Sequence, residues 1–515
     1  MQKEMRASIS KAALMQKQNI QQMAANRAHI ELVPVSNDAK TPSCPHGPTL
    51  LFERFDQGSK KPRQFYACSA FRDRKACSFF QWANQNTEKS SLSITSLTTP
   101  LYCHKNFRRR YSEFKSLSQQ FRNVCCTCGL LLLEEEFSQH VGQGHSLRHR
   151  VGLRELKRPT TLFQPLDDNK TYAQYLFSKS TVLFLIDTVE RLGYTHILCV
   201  GAPRIHEEVQ FCKKSGRKVA SLLLDLDERY AQVYPPSLYI KYNMFNHHFF
   251  ERKAKNRLQK FMSEGGSHVV VVTDPPFGGM VEALVATFTQ LSQMSQLSQM
   301  SQLSQMSQLS QMSDTSAESP SPNLINIKGK LLPLIWFFPY FMESRIVSQL
   351  PEMLMLDYKV DYENHVLFNN QHKKKGSPVR MFTNIAQAEF ILPQDQGYWF
   401  CKPCQRFSSK ENWHCSECGS CTSKDGTRYV HCDMCMRCVK PSRVHCFTCE
   451  MCQLKDHTCG QLKAAGCHVC GEPDHKRRDC PQRLHIDKEV FGLQKRGLKR
   501  KSKSSGAKHQ KKAKK

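Results

Sequence analysis

The stretch Val269–Met280, "VVVVTDPPFGGM", decides how this chain is read. A run of β-branched residues ends at an acid, two prolines, an aromatic and two glycines. Prolines fix φ and offer no backbone N–H, so they leave a carbonyl exposed. A carboxylate and such a carbonyl can accept both hydrogens of an exocyclic amine, and a ring can stack on a flat base. Asp274, the Pro275 carbonyl, Pro276 and Phe277 are the candidate catalytic residues. Alone, the stretch also reads as a strand with a tight exit before a helix, so its surroundings decide.

Those surroundings have the pattern of an α/β layer architecture. Between Thr171 and Ile391 cysteines nearly vanish and apolar strands alternate with helical patterns. "YAQYLFSKSTVLFLIDTVERLG" has helical periodicity. "HILCVG", "VASLLLDLD", "HVVVVTDPPF" and "LLPLIWFFPY" read as strands, with the helix "MVEALVATFTQL" after the third. "EMLMLDYKVDYE" and "PVRMFTNI" are predicted to pair as an antiparallel hairpin at the sheet edge. Residues 290–312 repeat "SQL" and "SQM", a period of three that matches neither helix nor strand. They are expected to be a disordered insertion, within a low-complexity segment 290–318.

An open parallel sheet binds ligands at the carboxyl ends of its strands. The first strand ends at Gly201, where a nucleoside group can approach the backbone. The second ends with Asp225 and Asp227, either of which could accept hydrogen bonds from ribose hydroxyls. The first loop lacks Gly-x-Gly-x-x-Gly, which argues against a pyrophosphate cradle. A cofactor with ribose and adenine but no phosphate fits better, and S-adenosylmethionine is one.

The rest of the chain points to a polyanion. Its 515 residues carry a formal net charge of +29, from 74 Lys+Arg against 45 Asp+Glu. Nucleic acid is the first partner such an excess suggests; the alternative is a solvated basic surface with a basic tail. The N-terminus has no continuous apolar run, so no secretory signal is expected; its weak basic amphipathicity leaves a mitochondrial transit peptide open. "LLPLIWFFPYF" is about half of the roughly 20 residues a membrane-spanning helix needs, so no membrane partner is expected.

The 24 cysteines interleave with histidines at short spacings, which reads as zinc in a reducing compartment. Cys44, His46, Cys68 and Cys77 form one set, among Phe65, Tyr66, Phe79, Phe80 and Trp82 and the cations Arg63, Arg72, Arg74 and Lys75. Bases can stack on such rings; equally, the rings can pack around the metal as a small core. Cys125, Cys128, His140 and His145 suit a hairpin-and-helix finger, although Cys126 could shift the ligand choice by one. A dense cluster offers Cys401, Cys404, His414, Cys415, Cys418, Cys421, His431 and Cys432. It continues with Cys435, Cys438, His445, Cys446, Cys449, Cys452, His457 and Cys459. Sixteen candidates fill four zinc sites, but the spacing does not give the partition. Cys467, Cys470, His475 and Cys480 have zinc-knuckle spacing, beside Lys476, Arg477 and Arg478. In all, about seven zinc ions are expected. The cysteines left over, Cys103, Cys126, Cys199 and Cys212, read as buried or free thiols.

Several of these features have family counterparts. The first metal set resembles the GRF-type zinc finger, without its Gly-Arg-Phe triplet. Part of the dense cluster resembles a DHHC-type cysteine-rich domain, but it lacks Asp-His-His-Cys and flanking membrane helices, so it is read as structural. "DPPF" after a strand resembles the Asp/Asn-Pro-Pro-Tyr/Phe/Trp motif of amino-methyltransferases. Over roughly 44–480 the chain resembles the zinc-knuckle ribosomal-RNA N6-adenine methyltransferases of animals. That resemblance implies a Rossmann-like class I S-adenosylmethionine-dependent core flanked by small zinc modules. It implies cofactor contacts at Gln174, Tyr175, Leu176, Phe177, Arg204, Asp225, Asn243 and Met244, to which the strand ends add Gly201 and Asp274. It also implies a target adenosine in large-subunit rRNA.

The expected organisation is a flexible leader (1–43), a GRF-type finger (44–86) and a C2H2 finger (125–150). A methyltransferase domain (165–395), a multi-zinc domain (398–460), a knuckle (465–482) and a basic disordered tail (486–515) follow. The tail suggests a nuclear or nucleolar address and an RNA-binding arm. Two rival readings are a zinc-finger RNA scaffold with an inactive methyltransferase fold, and a protein-glutamine methyltransferase. "YNMFNHHFF" (Tyr242–Phe250) stands out without a mechanism.

Overall fold

A computed structural model describes residues 29–33, 41–55, 62–71, 73–84, 103–166, 173–212, 216–310, 331–364 and 377–459. The knuckle candidates and the tail lie outside these residues. The described chain falls into two compact units. The larger spans Leu32–Glu53 and Gln64–Pro441, and the smaller includes the chain from Ser442.

An eight-stranded sheet organises the larger unit. Its strands are β1 (His196–Val200), β2 (Ala220–Asp225), β3 (Tyr239–Asn243), β4 (His248–Phe249), β5 (Val269–Thr273), β6 (Leu334–Pro339), β7 (Leu354–Leu356) and β8 (Val379–Thr383). The order is β4-β3-β2-β1-β5-β6-β8-β7. The central pairings are parallel, while β8 runs antiparallel to both β6 and β7. The expected edge hairpin is therefore present.

Alternation along the strands explains why the sheet is covered on both faces. Ile197, Cys199, Val270 and Val272 enter one core; Leu198, Val200, Val269 and Val271 enter the other. Helix α1 (Lys179–Arg191) packs Val182, Leu185 and Ile186 into the first. The expected helix over 172–193 is thus shorter: Ser178 caps it by accepting a hydrogen bond from Thr181 N (3.3 Å), and residues 173–178 lead in without helix. Helix α2 (Pro203–Cys212) follows β1, α3 (Ala254–Gly265) precedes β5, and α4 (Val281–Ser310) follows it.

Two further expectations need correction. The "SQL/SQM" repeat is not a disordered insertion; α4 runs through it as one helix to Ser310. A period of three lags the helical 3.6 by about 60° per repeat, so its apolar stripe winds around the helix. Leu291 is fully buried, Met294 partly buried, and Leu297 60% exposed. The first turns thus lie on the core, and Ser292 Oγ accepts a hydrogen bond from Leu332 N (2.9 Å). In the leader, His29–Leu32 is a strand. Among the described residues, no helix is long and apolar enough to cross a membrane.

Candidate functional site

The sheet order reverses between β1 and β5, and the exits of these strands meet there. Val200 pairs with Thr273, so Gly201 and Asp274 leave the sheet side by side. Gly201 has φ +62°, and a Cβ there would lie 2.4 Å from Met244 Cε. Only glycine gives both the turn and the close approach. A cleft of about 210 Å³ opens at this point. Asp274, Pro275, Pro276 and Phe277 line one part of it, and Asp225, Leu226 and Asp227 another. Gln174, Tyr175, Gly201, Asn243 and Met244 also line it.

Three expected cofactor residues are absent from the lining. Leu176 and Phe177 are buried in the fold, with Phe177 stacked on Tyr362 at 5.2 Å. Arg204 turns away to Glu207 (3.3 Å), Glu363 (2.8 Å) and Thr160 Oγ1 (2.8 Å). Glu207 is fully buried, and an unpaired buried carboxylate would be costly, so it captures the guanidinium.

The two acids of β2 differ in environment. Asp227 is ion-paired with Arg229 (2.6 Å) and accepts a hydrogen bond from Gln174 Nε2 (3.1 Å). Asp225 has no such cation; burial, helped by the Asp227 charge, pushes its carboxyl up to about 7. It is the acid available to a ribose. Asp274 is held well above the usual carboxylate range by its enclosure, against the opposing Tyr362 hydroxyl, which donates to Oδ1 at 3.1 Å. Tyr175 leans on Phe277 with ring centres 5.4 Å apart and lies 5.9 Å from the Tyr362 ring. An acceptor acid thus stands among aromatic faces, an arrangement suited to a flat base bearing an amine.

"YNMFNHHFF" acquires a mechanism. It contains the end of β3, a strand not anticipated from the sequence, and the loop that receives the GRF-type finger. Asn243 Nδ2 donates to His46 O (2.8 Å) and Ser69 Oγ (2.8 Å), and Asn246 Nδ2 donates to Pro48 O (2.7 Å). Asn243 therefore borders the cleft with its amide committed to the finger. Gly47 (φ +98°) sits so close that a Cβ would lie 2.5 Å from His248 Cγ.

The donor sets match tetrahedral zinc. A Zn–S bond of about 2.3 Å and a Zn–N bond of about 2.0–2.1 Å give donor–donor edges of about 3.3–3.8 Å. Cys44, His46, Cys68 and Cys77 converge, with His46 Nδ1 3.9 and 3.4 Å from the Cys44 and Cys68 sulfurs. Around them Phe65 stacks on Phe52 (5.4 Å) and Phe80 (5.0 Å), and Arg74 covers the Phe80 ring at 4.2 Å. Cys125, Cys128, His140 and His145 converge on the hairpin Asn123–Cys125/Leu130–Leu132 and the helix Glu134–Gly142. Cys126 is outside this set. The finger is built into the larger unit: Gln232, nearly buried, accepts from Leu131 N (3.0 Å) and donates to Gly129 O (2.7 Å).

In the dense cluster ligation is interleaved. Cys401, Cys404, His414 and Cys421 form one set, and Cys415, Cys418, His431 and Cys438 the next. Cys404–His414 is 3.2 Å and Cys418–His431 3.3 Å. Cys432 and Cys435 also lie in the larger unit. In the smaller unit His445 and Cys452 face each other across a hairpin. There Cys446 lies 3.5 Å from Cys459, and His457 Nε2 lies 3.5 and 3.4 Å from Cys449 and Cys459.

The fold and cleft define a class I methyltransferase core with an amino-methyltransferase motif at its switch point. Comparison with known proteins agrees. Residues 168–384 match the family described as probable N6-adenine methyltransferase, and residues 42–86 match the GRF zinc finger. The human rRNA N(6)-adenosine-methyltransferase ZCCHC4 is 43% identical over 459 residues, 87% of this chain and 84% of its own length. The Xenopus laevis protein of the same name is 45% identical over 471 residues, 90% of each chain. The chain belongs to this family of zinc-knuckle N6-adenosine methyltransferases.

Proposed function

We propose that this protein methylates N6 of an adenosine in large-subunit ribosomal RNA, with S-adenosylmethionine as donor, in the nucleus and nucleolus, in support of ribosome function. The observation that carries the reading is the single cleft in which Asp274–Phe277, Gly201 and Asp225 meet. When bound, the cofactor supplies a sulfonium methyl and leaves as a thioether. Asp225 accepts hydrogen bonds from the ribose hydroxyls. Asp274 and the Pro275 carbonyl accept the two amine hydrogens, which lets the nitrogen lone pair localise toward the donor. Phe277 stacks on a base taken out of its helix. After transfer the charged amine loses a proton to Asp274 or to water.

The donor sets fit zinc, about seven ions by ligand count, in a structural role. The net charge of +29 supports RNA as the polymer. The test is a mass-spectrometric nucleoside census of ribosomal RNA with and without the protein. Loss of one N6-methyladenosine from the large-subunit RNA is expected; an unchanged census would refute the reading.

A further inference from the structure

The GRF-type finger does more than border the cleft. Its turn after Cys68 brings Ala70 and Phe71 into the lining. The Phe71 N–H points to Cys68 Sγ (3.4 Å), and its ring meets the His46 imidazole edge-on at 4.7 Å. Two members of the metal set thus fix this one aromatic. The methyltransferase side grips the same turn, since Asn243 bonds both His46 O and Ser69 Oγ while its Oδ1 accepts from Phe245 N (3.0 Å). Phe71 packs against the core cluster that contains Met244 and Phe245.

We propose that Phe71 is a cofactor-binding residue, its ring forming part of the wall against the adenine of S-adenosylmethionine. This rests on the reading of the cleft given above. Asp225 takes the ribose, so the base joined to that ribose lies beside the apolar residues next in line. These are Leu226 on one strand exit and Met244, Phe245 and Phe71 around the other. The Asp274–Phe277 exit is reserved for the methyl acceptor. A neutral ring suits a purine face, which carries no charge to pair. The finger's metal then governs cofactor affinity through a residue that is not a ligand.

The test uses the full zinc-loaded chain and titration calorimetry with S-adenosylhomocysteine, which cannot react. Phe71→Ala is expected to weaken binding by roughly 5- to 150-fold, the range of one base–aromatic stack. Phe71→Tyr is expected to bind like wild type. Zinc content and melting temperature of each variant must equal wild type, which separates a lost wall from a lost finger. If Phe71→Ala binds S-adenosylhomocysteine normally, the inference is wrong. It is equally wrong if that variant loses RNA affinity while cofactor affinity stays intact, because the ring then serves the target. If the wild-type chain itself binds no S-adenosylhomocysteine, the reading of the cleft falls, and this inference with it.

Discussion

The Tyr362 hydroxyl donates to Asp274 Oδ1 at 3.1 Å, joining the chain after β7 to the exit of β5. With Oδ1 engaged, the carboxylate is fixed in rotation and Oδ2 is left to accept from a substrate amine. Tyr362→Phe keeps the ring, which is 2% exposed, and removes only this bond. A hydrogen bond to a charged group is worth about 1.5–3 kcal/mol, so turnover should fall roughly 10- to 150-fold. The bond lowers the Asp274 pKa, so its loss should move the acid limb of the pH–rate profile upward. Single-turnover methylation across pH, with cofactor affinity unchanged, checks this.

Asp274→Ala should abolish methyl transfer while leaving RNA affinity close to wild type. Filter binding beside a methyl-transfer assay checks both. Wild-type activity in this variant would remove Asp274 from the chemistry.

Asp225 gives a pH dependence. Folding raises its pKa to about 7, so its protonated form favours the folded apo-protein. That contribution is complete below the ordinary carboxylate value and is lost as pH rises through about 7. Ribose hydroxyls prefer the ionised acceptor. The thermal shift produced by S-adenosylhomocysteine should therefore grow between about pH 6 and pH 8. Asp225→Asn should flatten that growth. A shift independent of pH in the wild-type protein would contradict the assignment.

Helix α4 offers an internal control. Leu291 is fully buried and Leu297 is 60% exposed, although both come from one repeat. Leu291→Ala should cost about 2–5 kcal/mol, and Leu297→Ala should stay within about 0.5 kcal/mol. Denaturant melts of the two variants measure the difference.

Gln232 tests the C2H2 finger as a built-in part. Gln232→Ala leaves Leu131 N and Gly129 O without their partner, at a cost of about 1–3 kcal/mol for each unsatisfied group. Zinc chelation should lower the melting temperature of the wild-type protein more than that of the variant.

What the sequence made legible follows from its periodicities. Four valines before an acid announce β5, and the ligand spacings announce the fingers. The β3 strand was hidden because Tyr239–Asn243 is short and runs into a loop as rich in aromatics as the strand itself, so the turn made by Asn243 and Asn246 does not stand out from the sequence. The start of α4 was expected, but its continuation past Leu291 was hidden because a period of three has no fixed face, and only tertiary contact along its first turns holds one. Phe71 was unremarkable among the aromatics of the finger until packing placed it beside Asn243 and the cleft. Arg204 illustrates the converse: its position after β1 suits a ligand, but a buried glutamate three residues on claims it.

The overlap of the two zinc sets between Cys401 and Cys438 has a consequence for inheritance. The first set closes at Cys421, after the second has opened at Cys415. Any break in the backbone from Cys401 to Cys438 therefore separates the ligands of at least one ion. This stretch cannot be duplicated, trimmed or exchanged one finger at a time, as tandem fingers can. Recombination must pass it on whole, and a frameshift or splice junction inside it ruins more than the segment it touches.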